Sequence, residues 1–328
     1  MALENYRIDS EVKLALSEIL KSYPGGFNAP ERLDDRRALI SGYLRQFPNR
    51  EDVTRLDDFI ESQYDQYKIP IRIYRPVSGV LSDGIVLAIH GGGMVMGSIA
   101  DDDGNAARLS VELGVTVIAI DYRLSPEHPF PVPVEDCFSV AAWILDHGRE
   151  LGVDLDRSII YGGSAGGGLA IATAMALRDR LHRNFSALVT PYPMLDYRNE
   201  LPSTHRILDL GAWDRKANLE SWAWYLGDQA GSKDVHPYAS PLHAPDLSHF
   251  PKMFVDVGDM DLFLDEDIAM VTRLIAAGTS VEFHCYPGAY HACELFAPDA
   301  QLSQVIWRNR FEFMRRELIG PLRSTVLH

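Results

Sequence analysis

A tight, glycine-flanked turn between an apolar run and a helix-forming segment constrains this chain more than any other feature. The apolar run 159–161 leads into Gly162-Gly163-Ser164-Ala165-Gly166, a G-x-S-x-G pattern. Such a strand-to-helix turn lifts the serine above a sheet in a strained conformation, and the glycines permit close backbone packing. The pattern alone is weak, because a glycine-rich helix start can also bind phosphate or be only a tight turn. Ser164 is therefore a candidate nucleophile that needs support from elsewhere in the chain.

A second glycine-rich loop follows another apolar run upstream. Residues 85–89 have the pattern of a buried strand and lead directly into His90-Gly91-Gly92-Gly93. Successive glycines expose backbone N–H groups, which in acyl-transfer enzymes donate hydrogen bonds to the oxygen that becomes negative during the reaction. The N–H after the nucleophile, here that of Ala165, completes such a site. A flexible turn is the alternative, but two motifs in the expected order on successive α/β units favour a hydrolase.

The partners of such a serine are expected downstream, with the acid first and the histidine second. The apolar run 254–258 predicts another buried strand, and several carboxylates follow it between 259 and 266. Three histidines come later: His284, His291 and His328. His284 lies inside an alternating, strand-like run, whereas His291 lies in a predicted loop, from which a base can reach the turn. We predict His291 as the general base.

Read from end to end, the chain predicts two helices followed by alternating strands and helices. Amphipathic segments at 10–21 and 31–47 precede a sheet that is expected to begin near Phe59. The predicted strands are 71–74, 85–89, 115–120, 158–161, 187–190 and 254–258. The predicted helices between them include 134–151 and 164–180. This alternation predicts an α/β fold with a mostly parallel central sheet flanked by helices.

The alternation breaks between Asp196 and Asp234, where aromatic residues concentrate over a helix-like segment: Trp213, Trp222, Trp224 and Tyr225. This position predicts an insertion that forms, with the N-terminal helices, a helical cap over Ser164. Plain helix packing explains the aromatic residues equally well. The predicted units are an N-terminal cap segment at 1–55, a core at 56–196, a cap insertion at 197–234 and the rest of the core at 235–328.

Several segments together resemble the hormone-sensitive-lipase-like group (family IV) of bacterial carboxylesterases in the α/β-hydrolase superfamily. The resemblance covers nearly the whole chain. It depends on the 90–93 loop, the segment 121–131 (Asp-Tyr-Arg-Leu-Ser-Pro-Glu-His-Pro-Phe-Pro), the turn around Ser164, the segment 238–242 (Tyr-Ala-Ser-Pro-Leu), Asp261 with Asp265-Glu266, and His291.

The resemblance implies a role for particular residues. Asp261, rather than Asp259 or Asp256, would orient His291. The oxyanion hole would consist of the N–H groups of Gly91, Gly92 and Ala165. The substrate pocket is expected to include Met94, Trp213 and Tyr192.

Three positions depart from the family pattern without removing a catalytic group. Gly163 stands where many relatives carry aspartate or threonine, and Met94 stands where an aromatic residue is common. Ala292-Cys293 replaces a frequent Gly-Phe after the histidine. These positions are expected to affect the pocket walls, and hence substrate preference, rather than activity itself.

Composition and charge limit the partners that the protein can have. The chain has 328 residues, of which 46% are hydrophobic, and a formal net charge of −15. This length and hydrophobic content suit one α/β domain with a large core. The charge argues against nucleic acid and anionic membranes as partners and favours a neutral small-molecule substrate. Since no signal peptide or membrane-spanning stretch is predicted, a cytoplasmic protein is expected.

Clusters of cysteine, histidine and aspartate raise the question of a metal site. The odd set Cys137, Cys285 and Cys293 predicts reduced thiols rather than disulfides. A zinc site that combines these cysteines with His284 and His291 is disfavoured, because neighbours on a strand point to opposite faces. The acidic run 101–103 precedes a helix-like segment, which favours helix capping and dipole complementation over cation binding. We predict neither a metal nor an organic cofactor.

The residues and the resemblance together predict a serine carboxylesterase that hydrolyses short-chain neutral esters through an acyl-enzyme. A lactonase, amidase or deacetylase would use the same groups, so these activities remain open. A non-catalytic receptor for small ligands is disfavoured, because Ser164, Asp261 and His291 are all present. A homodimer that forms through an edge strand at 281–286 is a further expectation from family analogy.

Overall fold

The computed structural model describes residues 3–45 and 50–319. Helix α1 (Ser10–Ser22) begins after Asp9, whose carboxylate accepts hydrogen bonds from the first turn of the helix. Its buried residues, Val12, Leu16 and Ile19, are four and three positions apart and therefore share one face. Helix α2 (Leu33–Leu44) is shorter than the predicted 31–47, and Phe47 lies outside the described residues.

The sheet begins with an antiparallel hairpin of β1 (Val53–Glu61) and β2 (Lys68–Pro76), in which Val53 pairs with Pro76. The predicted start near Phe59 was therefore six residues late, and the first strand begins inside the predicted cap segment 1–55. The reason is that β1 is an edge strand with mostly exposed side chains, so its sequence lacks the apolar pattern of a buried strand.

The central strands are short, buried and parallel. The elements after the hairpin are β3 (Ile85–Ile89), α3 (Asp103–Leu113), β4 (Thr116–Ile120), α4 (Val132–Leu151), β5 (Ser158–Gly162), α5 (Ala165–Leu181) and β6 (Ala187–Pro191). Two short helices follow, α6 (Pro202–Arg206) and α7 (Arg215–Leu226). The last elements within the described residues are β7 (Lys252–Met260), α8 (Leu264–Ala276), β8 (Val281–Tyr290), α9 (Cys293–Phe296) and α10 (Gln301–Leu318).

The eight strands form one sheet in the order β1-β2-β4-β3-β5-β6-β7-β8. Strands β3 to β8 run parallel, and only the β1–β2 and β2–β4 pairs are antiparallel. Apolar side chains of α3 and α10 pack on one face, and those of α4, α5 and α8 pack on the other. This arrangement confirms the predicted fold class, an α/β-hydrolase fold with a mostly parallel sheet flanked by helices.

The segment between β6 and β7 meets the N-terminal helices on the same side of the sheet. Phe27 donates its backbone N–H to Gly211 O (3.1 Å), and Asn28 Nδ2 donates to Ala212 O (2.8 Å). In the same contact, Arg36 of α2 pairs with Glu220 of α7 at 2.6 Å. These bonds hold together two parts of the chain that are almost 200 residues apart.

The carboxyl ends of the parallel strands place the predicted reactive residues together. The loop with Gly91 follows β3, Ser164 follows β5, Asp261 follows β7 and His291 follows β8. In open parallel sheets, ligands bind at this edge. No helix within residues 3–45 and 50–319 has both the length and the apolar character needed to cross a membrane.

Candidate active site

The turn after β5 holds Ser164 in a conformation that few residues other than glycine adopt. Its φ is 57° and its ψ is −124°. Backbone strain of this kind costs about 1–3 kcal/mol and is maintained by the surrounding structure. The flanking glycines are required, since a Cβ at Gly162 would lie 2.3 Å from Gly166 O and one at Gly166 would lie 2.1 Å from Ile89 O. The Ser164 N–H donates to Pro191 O at 2.9 Å, which ties the turn to β6.

His291 joins the serine to a carboxylate. Its Nε2 lies 3.0 Å from Ser164 Oγ, and its Nδ1 lies 2.9 Å from Asp261 Oδ2. All three side chains are buried: the exposed fractions are 7% for Ser164, 6% for His291 and 0% for Asp261. The other carboxylate oxygen of Asp261 accepts the N–H of Phe263 at 3.0 Å. An acid held in this way can fix the orientation and tautomer of the imidazole, which can then accept the serine proton.

The other candidate acids are occupied elsewhere. Strand β7 continues to Met260, so Asp256 and Asp259 both lie within the strand. The sequence predicted instead that Asp259 lies just beyond the end of this strand. Asp256 binds Arg310, with Nε and Nη2 donating at 2.7 and 2.8 Å. Asp259 Oδ1 accepts the N–H of Gly288 at 2.6 Å and so connects β7 to β8. Asp261 is the first residue after the strand, where the chain turns towards His291.

The loop after β3 brings backbone N–H groups beside the serine. A Cβ at Gly91 would lie 3.4 Å from the Cβ of Ser164, which shows how closely the two segments approach. Gly92 adopts a φ of 108°, and a Cβ there would lie 2.3 Å from Met96 O. Among the described residues, the N–H groups of Gly91, Gly92 and Ala165 donate to no protein acceptor. Backbone N–H groups without a protein acceptor can donate to an oxygen that becomes negative, which is what the predicted role of this loop requires.

Arg37 of α2 binds the loop that follows β3. The sequence did not predict this contact. Its guanidinium donates to Val95 O at 2.7 Å and to Ser125 O at 2.9 Å, and it forms a bidentate pair with Glu127 at 2.8 Å. The hydrogen bonds from Arg37 lower the pKa of the Glu127 carboxyl to about 2. The N-terminal helices are thus bound to the loop that carries the predicted oxyanion hole.

A mostly apolar cavity opens onto Ser164 and His291. It holds about 160 Å³ of space that the centres of water molecules can occupy. Trp213 and Tyr192, two of the three residues predicted for the substrate pocket, form part of its wall. The prediction for Met94 is wrong: its side chain is buried in the core and extends towards Gly168 of α5, while Met96 lines the cavity. The loop is compact here, because the N–H groups of Val95 and Met96 both donate to Gly92 O, at 3.1 and 2.9 Å.

A buried ionic network supports the cavity wall behind Tyr192. The Tyr192 hydroxyl donates to Glu294 Oε1 at 2.5 Å, and Arg310 Nη1 donates to the same oxygen at 2.6 Å. Arg310 also binds Asp256, and its side chain and both partner carboxylates are about 1% exposed. The Tyr192 ring lies 4.7 Å from the His291 ring, centroid to centroid. In the sequence, the only sign of this network is Arg310 itself, which stands among the buried apolar positions of α10.

Arg310→Leu is expected to lower the free energy of unfolding by about 3–5 kcal/mol, because it leaves two buried carboxylates without their cation. Arg316→Leu on the same helix is the matched control. Arg316 pairs with Glu282 at the surface, where such a pair contributes at most about 1 kcal/mol. Urea unfolding measures both changes, and similar losses in the two variants would contradict the role given to the network.

The acidic run 101–103 does not act as the predicted helix cap. Asp102 is the residue before α3, but its carboxylate makes no capping hydrogen bond. Asp103 instead binds Arg55 and accepts a hydrogen bond from the Tyr74 hydroxyl at 3.0 Å. Asp102 faces the cavity, and burial raises its pKa to about 7.

This raised pKa predicts a pH-dependent effect of Asp102→Asn on stability. The native state holds the Asp102 proton more tightly than the unfolded state, so the wild-type protein loses stability as the pH rises from about 4 to about 7. The asparagine variant lacks this loss. Its melting temperature should exceed that of the wild type more at pH 8 than at pH 5. Asp58→Asn, on the exposed edge strand, is the control, and an equal gain at both pH values would contradict the assignment.

The alternative of a zinc site has no support in the geometry. His291 is engaged by Ser164 and Asp261, whereas His284 bonds to Glu282 at 3.0 Å on β8. In the part of the chain that the structure describes, no group of three histidine, cysteine, aspartate or glutamate side chains could hold a metal ion.

Comparison with known proteins identifies the fold family. A family model of the α/β-hydrolase fold matches residues 86–295, well over half of the 328 residues. The chain belongs to the α/β-hydrolase family.

Similar proteins narrow the group within this family. An arylesterase of Saccharolobus solfataricus is 35% identical over 234 residues, which cover 70% of this α/β-hydrolase and 74% of the relative. The structure of a bacterial heroin esterase matches with a TM-score of 0.87 and 31% identity, covering 95% of this chain and 98% of the other. An esterase of the bacterial hormone-sensitive-lipase family matches with a TM-score of 0.83 and 29% identity, covering 94% and 99%. The predicted membership of the hormone-sensitive-lipase-like group is confirmed.

Proposed function

We propose that this α/β-hydrolase is a serine carboxylesterase that hydrolyses short-chain neutral esters. The observation that carries the proposal is the continuous hydrogen-bonded series from Ser164 through His291 to Asp261, beside N–H groups that have no protein acceptor. The esterase names of its relatives support the same reaction class. Ser164 would be the nucleophile, His291 the general base and Asp261 the orienting acid.

The first half of the reaction would form an acyl-enzyme. Ser164 Oγ attacks the ester carbonyl carbon while His291 Nε2 accepts the hydroxyl proton. The electron pair of the carbonyl moves to its oxygen, which the N–H groups of Gly91, Gly92 and Ala165 stabilise. The bond to the alcohol oxygen then breaks, and His291 gives its proton to the departing alcohol.

Water would complete the cycle by the same steps. It loses a proton to His291, attacks the acyl carbon and displaces Ser164 Oγ, which regains a proton from the imidazole. The acid is released and the resting enzyme returns. Every proton in this sequence is transferred by His291, so the scheme needs no cofactor.

The N-terminal segment and the insertion at 197–234 would form the cap over this site. Phe27 and Leu44 from the first segment, and Ala212 and Trp213 from the second, line the cavity. A cap that is held by several hydrogen bonds excludes water and strengthens the hydrogen bonds to the negative oxygen. It also limits the depth that an acyl chain can reach, and this limit is the basis for the proposed preference for short chains.

The chain-length preference tests the proposed function. With p-nitrophenyl esters from acetate to palmitate, kcat/KM is expected to be highest for the short acyl chains and to fall towards palmitate, because the cap limits the depth of the cavity. Rates should follow simple saturation with dissolved substrate. A maximum at the longest chains, or a jump in rate when the substrate emulsifies, would indicate a lipase instead. No turnover of any ester would overturn the proposal.

A further inference from the structure

Two consecutive peptide groups of the loop after β3 are held by side chains that the proposed reaction does not use. The His90 carbonyl oxygen accepts a hydrogen bond from the Tyr122 hydroxyl at 3.0 Å. The Gly91 carbonyl oxygen lies 2.8 Å from His90 Nδ1. A trans peptide group is planar, and its N–H points away from its C=O. The first bond therefore fixes the direction of the Gly91 N–H, and the second fixes that of the Gly92 N–H.

Tyr122 reaches this loop because it follows the neighbouring strand of the sheet. Strands β3 and β4 are parallel, and their last residues, Ile89 and Ile120, are paired. His90 and Tyr122 therefore leave the sheet side by side. Their rings stack, with centroids 4.2 Å apart and planes at 14°. The Tyr122 side chain thus supports the His90 ring as well as the His90 carbonyl group.

The backbone around Tyr122 is held on both sides of the residue. The Asp121 N–H donates to Pro70 O of β2 at 3.0 Å. The Arg123 N–H donates to Asp136 Oδ2, also at 3.0 Å, and the Arg123 guanidinium pairs with the same buried carboxylate at 2.7 Å. The Tyr122 side chain is itself buried. Its hydroxyl is therefore a fixed point for the loop after β3.

Burial keeps both side chains in the protonation state that these bonds require. It raises the pKa of the Tyr122 hydroxyl well above its usual value, so the phenol keeps its proton and can donate. It lowers the pKa of His90, so the imidazole is neutral and has a single N–H. His90 Nε2 has no hydrogen-bond partner among the described residues, whereas Nδ1 faces the Gly91 oxygen. The single proton is therefore assigned to Nδ1.

We propose that Tyr122 is a positioning residue for the oxyanion hole. Through the carbonyl group and the stacked ring of His90, it holds the N–H groups of Gly91 and Gly92 in the direction of the oxygen that becomes negative. Such donors are effective because they are already aimed when the charge develops. Tyr122 does not line the cavity at Ser164, so it acts without touching the substrate. This inference rests on the proposed serine esterase function.

Tyr122→Phe tests the inference, because it removes the hydroxyl and leaves a ring that can stack on His90. Loss of one donor from an oxyanion hole costs about 10²–10³-fold in kcat. A donor that is present but poorly aimed costs less, so kcat/KM for p-nitrophenyl acetate should fall about 10-fold.

Two inhibitors separate a poorly aimed oxyanion hole from a damaged cavity. In 1,1,1-trifluoropentan-2-one the carbonyl carbon forms a bond to Ser164 Oγ, the C=O electron pair moves to the oxygen, and the serine proton passes to His291. The adduct carries the negative oxygen that the hole binds. Pentan-2-ol has no carbonyl group and reports binding in the cavity alone. In Tyr122→Phe, the inhibition constant of the ketone should rise about 10-fold, while that of the alcohol should change less than about 2-fold.

Tyr225→Phe is the matched control, because Tyr225 is also fully buried and its hydroxyl has no hydrogen-bond partner in the part of the chain that the structure describes. This variant should keep the wild-type kcat/KM and both inhibition constants. A lower melting temperature of Tyr122→Phe with unchanged kcat/KM would mean that the hydroxyl only stabilises the fold, and would overturn the inference. Equal rises in the two inhibition constants would also overturn it.

If Tyr122→Phe fails to fold, His90→Leu decides, since it removes the bond to the Gly91 oxygen and the ring that Tyr122 supports. The ratio of the inhibition constants, ketone to alcohol, should again rise, and an unchanged ratio would overturn the inference. Failure of the wild-type enzyme to hydrolyse any ester would instead refute the proposed function.

Discussion

Ser164→Ala is expected to lower kcat/KM for p-nitrophenyl acetate by about 10⁴-fold or more, as loss of the nucleophile does in serine hydrolases generally. The reason is that His291 Nε2 lies 3.0 Å from Ser164 Oγ, and alanine has no hydroxyl from which the imidazole could take a proton. The residual rate would come from the free N–H groups and from binding alone. The fold should persist, because only one oxygen atom is lost at a residue that faces the cavity.

Two measurements separate loss of the nucleophile from loss of structure. The melting temperature of Ser164→Ala should stay within a few degrees of the wild-type value, since removal of one hydroxyl that faces the cavity is a small change in packing. A serine-reactive phosphonate should add its mass to the wild-type peptide that contains Ser164, and should not label the variant. A variant that retained a tenth of the wild-type kcat/KM would exclude Ser164 as the nucleophile.

The parts of the fold that were predictable from the sequence are those with local signals. Strands β3 and β5 are continuous apolar runs, because both faces of a parallel sheet are covered by helices. The turn at Ser164 depends on glycines within a few residues of it, so its shape is also determined by the local sequence. Strand β1 gave no such signal, because most of its side chains face solvent.

The candidate site shows the same division between local and distant determinants. Chain order suffices to propose Ser164, a later carboxylate and His291, whereas the choice of Asp261 among the carboxylates came from the family resemblance. The structure brings the three side chains within hydrogen-bonding distance. The cavity wall was less predictable, because it depends on contacts between remote segments. The error at Met94 illustrates this, since the direction of a side chain in a compact loop follows from tertiary packing. The support of Tyr192 by Arg310, 118 positions further along the chain by their numbers, has no local signature.

Asp261→Asn is expected to lower kcat about 10⁴-fold, whereas Asp259→Asn should have only a mild effect. The Asp261 carboxylate can only accept a hydrogen bond, so it holds the imidazole proton on Nδ1, 2.9 Å away. An amide at residue 261 can instead donate a hydrogen bond to Nδ1. It would favour the tautomer that carries its proton on Nε2, which cannot take the proton of Ser164. Asp259 bonds to the Gly288 N–H instead, and an asparagine oxygen can accept that same bond.

The two aspartates form a matched pair, because they are two residues apart and the same substitution removes one charge from each. Steady-state kinetics with p-nitrophenyl acetate, and melting temperatures for both variants, separate the catalytic effect from any loss of stability. If the effects were reversed, Asp259 would be the orienting acid and the hydrogen bond between Asp261 and His291 would have no catalytic role. If both variants were equally impaired, the carboxylates would act through the shared structure of β7 and the loop after it. A large loss at Asp261 alone would mean that the acid acts through the imidazole, because only Asp261 touches it.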